Sequence, residues 1–153
     1  MNIEGQSALV TGGGSGLGEA TALELARLGA KVAVLDINAA QAEKVAASIN
    51  AAYGDGRAVA CVCDITNTES LQAALDQAAA AIGPARILMS IAGIGSAKRV
   101  VAKDGTAAPL EDFVRVINVN LIGTYNVARL FAASCAKLEP MQDNERGVMV
   151  FTA

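Results

Sequence analysis

The sequence predicts an α/β protein: a parallel sheet covered by helices on both faces. Three observations predict it. Short apolar runs alternate with helix-period stretches along the whole chain. Those runs lack the in–out alternation of a half-exposed strand, as suits strands covered on both sides. A glycine-rich turn then joins the first run directly to the first helix. Strand–helix repetition with short joints calls for right-handed crossovers and a doubly wound sheet.

Taken in order, Ser7–Thr11 reads as the first strand and ends in glycines. The first helix spans 16–29. Leu17, Thr21, Leu25 and Leu28 are expected on its buried side, with Glu19, Glu24 and Arg27 opposite. Residues 31–35 form the second strand, closed by Asp36. Asn38 with Gln41 makes a capping pair for an alanine-rich helix to about residue 52. Residues 57–63 form the third strand, closed by Asp64, and Thr66 with Glu69 is a capping box for a helix over 69–82. The fourth strand, 86–91, is closed by Ala92-Gly93. Pro109, an acceptable first-turn residue, opens one long helix to about 138, and 147–151 form the fifth strand. Residues 96–108 break the rhythm as a long, partly basic joint after the fourth strand. Loops there face the ligand crevice of such a sheet, so contact with a substrate and a plain surface insertion both stay open.

Composition narrows the function. With 53% apolar residues and a net charge of −3, the chain is too apolar for disorder. It has no apolar run near the ~20 residues of a membrane span, and Met1 to Gly5 lacks a signal-peptide pattern. A cytoplasmic setting without a membrane partner is expected. The absence of histidine removes His-based triads and most catalytic zinc sites, and no metal site is expected. An acidic chain with 2 Tyr, 3 Phe and no Trp argues against a nucleic-acid surface. Cys61, Cys63 and Cys135 read as small buried side chains of a reducing compartment, with Cys61 and Cys63 on opposite faces of their strand.

The turn Thr11-Gly12-Gly13-Gly14-Ser15-Gly16-Leu17-Gly18 carries the chemistry. Passing from strand to helix within a few residues needs positive φ, which glycine tolerates. Backbone N–H groups at the helix start then point outward, an anion site suited to a pyrophosphate. Gly12 turns the chain, Gly16 admits the phosphates and Gly18 brings the helix close to the sheet. Ser15 offers a hydroxyl and an N–H. The spacing Gly-x-x-x-Gly-x-Gly differs from the commonest dinucleotide fingerprint, and no Lys-Ser/Thr follows to make a Walker A loop. Asp36 lies roughly 20 residues beyond the turn, where a carboxylate accepts hydrogen bonds from both hydroxyls of an adenine ribose. It would repel a 2′-phosphate, and no Arg or Lys follows it closely, so NAD is expected in preference to NADP. Asp64 is expected free to bond the adenine amino group, with Ile65 as an apolar wall.

Together these residues resemble the short-chain dehydrogenase/reductase family. The motifs are Thr11 to Gly18, Asp36, Asp64, Ala92-Gly93 and Val119-Asn120-Leu121-Ile122-Gly123, in family order across the whole chain. Within the family the chain is most similar to type II 3-hydroxyacyl-CoA dehydrogenases. This rests on the exact glycine turn, the 96–108 joint, Leu110 to Phe113, Gly123 to Val127 and the ending Arg146 to Ala153. The resemblance implies a Rossmann-type sheet of order 3-2-1-4-5. It implies NAD contacts at Ser15, Leu17, Asp36, Asp64, Ile65, Ala92 and Gly93, and a homotetramer with the last helix in an interface. It also implies that Asn120 holds a water in the proton relay. An Asn inside an apolar helix is locally unfavourable, because it competes for backbone bonds. Asn118 is expected to be structural.

Two departures stand out. The family's Asn-Asn-Ala-Gly reads Ser90-Ile91-Ala92-Gly93. Ile91 offers no amide, so contacts there fall to backbone, and Ser90 replaces an amide that braces the sheet. The family's Ser and Tyr-x-x-x-Lys are also absent. Tyr125 and Arg129 have the spacing but sit in the helix of Asn120, and Tyr53 with Arg57 lies in a loop. The family's Ser would fall one residue beyond Ala153. Residues 1–153 are therefore expected to be the NAD-binding N-terminal part of one domain, truncated after strand five, inactive alone and prone to aggregate through a bare edge. The expected function is hydride transfer from a secondary alcohol, plausibly a 3-hydroxyacyl-CoA, to NAD. Dehydrogenation of another hydroxy compound, such as a steroid or sugar alcohol, and a non-catalytic NAD-binding module are the alternatives.

Overall fold

The computed structural model describes residues 1–142 and 144–152. Ala153, which ends the last motif, lies outside them. Five strands form one sheet: β1 (Ser7–Thr11), β2 (Lys31–Asp36), β3 (Ala58–Val62), β4 (Ile87–Ser90) and β5 (Val148–Phe151). Their order is β3-β2-β1-β4-β5 and every pairing is parallel. β1 lies at the centre, pairing Ala8 with Val32 on one side and with Ile87 on the other. The helices are α1 (Gly16–Arg27), α2 (Ala39–Tyr53), α3 (Thr68–Ile82), α4 (Leu110–Ile117) and α5 (Thr124–Cys135).

The strands send alternate side chains into two cores. Ala8, Val10, Val32, Val34 and Ile87 meet Ala22 and Leu25 of α1 and Val45 and Ile49 of α2. Leu9, Ala33, Leu35, Cys61 and Leu88 meet Leu71 and Leu75 of α3 and Val127 and Phe131 of α5. This two-sided burial explains why the strands read as continuous apolar runs. Among the described residues, no helix is long and apolar enough to cross a membrane.

Four expectations fail in detail. α1 buries Gly18, Ala22, Leu25 and Ala26, while Leu17 is 72% exposed and Leu28 is also exposed. Small residues face the sheet because the helix approaches too closely for larger ones. Cys61 and Cys63 enter the same core, since residues two apart on a strand share a face. The cap of α3 is Asn67, whose side chain accepts from Ser70 N at 2.8 Å, one residue later than the expected Thr66. The expected single last helix is α4 and α5 joined by a π-helical segment, Asn118–Gly123, and its final α-helical turn ends at Cys135. Residues 96–108 contain an isolated antiparallel bridge between Val101 and Ala107.

Candidate functional site

A cleft of about 650 Å³ opens at the C-terminal ends of β1 to β4. It straddles the point beside β1 where the winding reverses, running outward through β2 and β3 on one side and through β4 and β5 on the other, the usual ligand position in such a sheet. Gly12, Ser15, Gly16, Leu17 and Gly18 line it from the turn, Asp36 from β2, and Asp64 and Ile65 from the loop after β3. Ala92 and Gly93 line it from the loop after β4. Ten positions scattered through the sequence thus meet around one volume, which falls within the range of small-molecule sites.

The turn owes its shape to glycine at defined points. Gly12 and Gly16 have φ of +66° and +54°. A Cβ on Gly18 would stand 1.9 Å from the Gly12 carbonyl oxygen, so only a bare backbone lets α1 start there. A Cβ on Gly12 would lie 2.8 Å from Ala92 Cα, so the turn and the loop after β4 touch through backbone. Thr11 secures that contact by accepting from the amides of Ile91 and Ala92 at 3.1 and 3.2 Å. Ser15 precedes α1 without a side-chain cap bond, leaving the helix start open to an anion.

Asp36 is fixed before any ligand arrives. Oδ2 accepts from Gly14 N and Oδ1 from Asn38 N, both at 2.9 Å. Each oxygen keeps a further lone pair for a hydroxyl. Asp64 is less free than expected, because Oδ1 accepts from both the amide and the hydroxyl of Thr66. The same turn draws Thr66 away from the cap of α3. Beside these carboxylates, burial pushes the Cys63 thiol up to about 12, with the charges of Cys61, Asp64 and Asp36 adding to the effect. Burial likewise raises the Cys61 thiol to about 11. Both cysteines stay protonated near neutral pH and serve as packing.

Asn120 lies in the π-helical segment, a form of winding often found at functional sites. Its side chain grips one residue twice: Nδ2 donates to Ile94 O and Oδ1 accepts from Ile94 N, both at 2.8 Å. Asn120 therefore fixes the loop that carries Ala92 and Gly93. Ser90 leaves a cost behind, since its buried hydroxyl has no hydrogen-bond partner among the described residues.

The structure adds cleft residues that the sequence reading passed over. Ile37, Ile94, Arg115, Asn118 and Val119 also line it, which places Asn118, expected to be structural, at the cleft wall. Their signal was the i, i+3, i+4 spacing of Arg115, Asn118 and Val119, which puts them on one helix face. A second cavity of about 580 Å³ adjoins, walled by Ile94 to Lys98 and by Asp112, Arg115 and Val116. Lys98 pairs with Asp112 and ties the 96–108 loop to α4. Tyr125 and Arg129 sit in α5, and Arg129 bonds to Asn126 and Thr68.

A family model described as short chain dehydrogenase matches residues 6–153. A Bos taurus protein named 3-hydroxyacyl-CoA dehydrogenase type-2 is 40% identical over 153 residues, covering 99% of this chain and 57% of the relative. The crystal structure of a 3-hydroxyacyl-CoA dehydrogenase type-2 from Mycobacterium avium superposes with a TM-score of 0.87 at 39% identity, covering 97% of this chain and 56% of that one. A 3-ketoacyl-(acyl-carrier-protein) reductase from Brucella melitensis, solved with NADH, gives 0.82 at 35% identity, covering 99% and 58%. The chain spans little more than half the length of each.

Proposed function

The chain belongs to the short chain dehydrogenase family of oxidoreductases, and from that premise we propose that its cleft binds NAD. In this reading residues 1–153 are the cofactor-binding part of a dehydrogenase acting on a secondary alcohol, a 3-hydroxyacyl-CoA. The observation that carries it is the convergence of the glycine turn, Asp36, Asp64, Ile65, Ala92 and Gly93 on one cleft. The relatives named for 3-hydroxyacyl-CoA dehydrogenation support the substrate class, and the NADH-bound reductase supports the cofactor.

The residues divide the work. The open start of α1, with Ser15, receives the pyrophosphate. Gly12, Gly16 and Gly18 keep the backbone clear of it. Asp36 takes the adenine ribose hydroxyls and disfavours a 2′-phosphate. Leu17 and Ile65 supply apolar walls, Asp64 faces the adenine, and Ala92 and Gly93 border the nicotinamide side. When bound, NAD accepts the hydride. Asn120 holds the loop after β4 in place and positions a water for proton transfer. The adjoining cavity beside Ile94 to Lys98 admits the alcohol.

This chain contains no Tyr-x-x-x-Lys pair, so by itself it binds the cofactor without turnover. In this reading Ser and Tyr-x-x-x-Lys would complete the catalytic groups, and the enzyme works as a homotetramer in the cytoplasm. In support of the assembly, Leu110, Phe113, Val114, Leu121, Ile122 and Tyr125 are all exposed along one helical stretch. The test is a fluorescence titration of the chain with NADH, followed by an assay with a 3-hydroxyacyl-CoA and NAD. Saturable binding without turnover is expected. Absence of NADH binding would refute the cofactor reading. Extending the chain until it includes Ser and Tyr-x-x-x-Lys should restore turnover, and continued inactivity would favour a non-catalytic NAD-binding module.

A further inference from the structure

We propose that Asn126 and Arg129 of α5 are positioning residues that set the adenine side of the cleft by holding Ile65. The inference rests on the NAD reading above and adds roles that the resemblance does not assign.

Ile65 forms a wall of the cleft yet is 7% exposed, so something behind it must fix its place. Two contacts from the same helical stretch do so. The Asn126 side chain, buried, donates from Nδ2 to the Ile65 carbonyl at 2.9 Å. At Gly123 a Cβ would stand 2.8 Å from Ile65 Cγ1, so the isoleucine side chain lies against bare backbone there. Ile65 is thus held at its carbonyl and at its side chain.

Asn126 is itself oriented. Its Oδ1 accepts from Arg129 Nε at 3.0 Å and from Arg129 Nη2 at 2.6 Å. The forked guanidinium distinguishes the carboxamide oxygen from its nitrogen, which fixes Nδ2 toward Ile65. Thr68, the first residue of α3, joins through its hydroxyl, which donates to Asn126 Oδ1 and accepts from Arg129 Nη2, both at 3.2 Å. A buried carboxamide satisfied in this way, with its partners reaching in from the surface, is held in one orientation. Together with Asn120, the stretch grips both loops that border the cleft: Ile94 after β4 through Asn120, and Ile65 after β3 through Asn126.

The experiment uses the whole chain with three probes: NADH, AMP as the adenine half, and reduced nicotinamide mononucleotide as the other half. Arg129 is exposed, so Arg129→Met should fold. It should weaken AMP and NADH by about fivefold, equally, and leave the mononucleotide unchanged. Asn126→Ala should weaken both by about tenfold, and Arg129→Lys should recover part of the loss. Val127→Ala, in the core one residue away, is the control. It should lower Tm without changing any of the three affinities. A folded Arg129→Met that keeps wild-type AMP affinity would overturn the proposal, as would a loss of NADH binding with AMP untouched. Wild-type chain that binds neither NADH nor AMP would overturn the cofactor reading itself, and this inference with it.

Discussion

Ser90 shows how a single position can be misfitted within a sound fold. Its hydroxyl is buried and unpartnered among the described residues, and such a group keeps its desolvation penalty without return. Ser90→Ala should therefore raise stability or leave it unchanged, by 0 to about 1 kcal/mol in urea unfolding. A loss of 2 kcal/mol or more would mean that the hydroxyl has a partner. That Ser90 replaces a bracing amide was legible from sequence, because the departure sits within a motif. The state of Asp64 was not. Asp64 and Thr66 each suit a turn or a cap, and only the structure shows them closing on each other and passing the cap to Asn67. Leu17 also misled the helical wheel: it counts as apolar, but it lines the cleft and stays exposed rather than entering the core.

At the scale of elements, all five strands could be read from the alternation of apolar runs and helical stretches, which also called for parallel pairing; their order came with the family resemblance and matches the sheet observed. Their ends shifted by a residue, as element boundaries do. The π-helical segment was not legible. Its residues follow an ordinary apolar helical pattern, and only the placement of an Asn within it hinted at a special role. The pair of hydrogen bonds between Asn120 and Ile94 gives that hint its content. Asn120→Leu should cost about 2 kcal/mol, two hydrogen bonds at roughly 1 kcal/mol each, as measured by urea unfolding. In a longer enzyme bearing Ser and Tyr-x-x-x-Lys, it should lower kcat more than NADH affinity. Equal losses would make Asn120 a brace alone.

At the scale of the whole molecule, the chain combines a well-built cleft with a thinly covered side. β5 is exposed along its length, from Val148 at 38% to Phe151 at 46%. An apolar edge without charge or proline is a template for pairing with another chain. The 153-residue chain should therefore self-associate as concentration rises, and Val150→Lys should reduce this in light scattering without changing NADH affinity. Unchanged association would shift the cause to the exposed face of α4 and the segments after it. The account as a whole rests on the proposal that Asp36 selects NAD over NADP in this cleft. The most direct test is calorimetric titration of wild-type chain and Asp36→Ala with NADH and NADPH. The account predicts that wild type binds NADH more tightly than NADPH and that Asp36→Ala loses about tenfold toward NADH, narrowing the gap. Equal discrimination in both proteins, or tighter binding of NADPH by wild type, would contradict it.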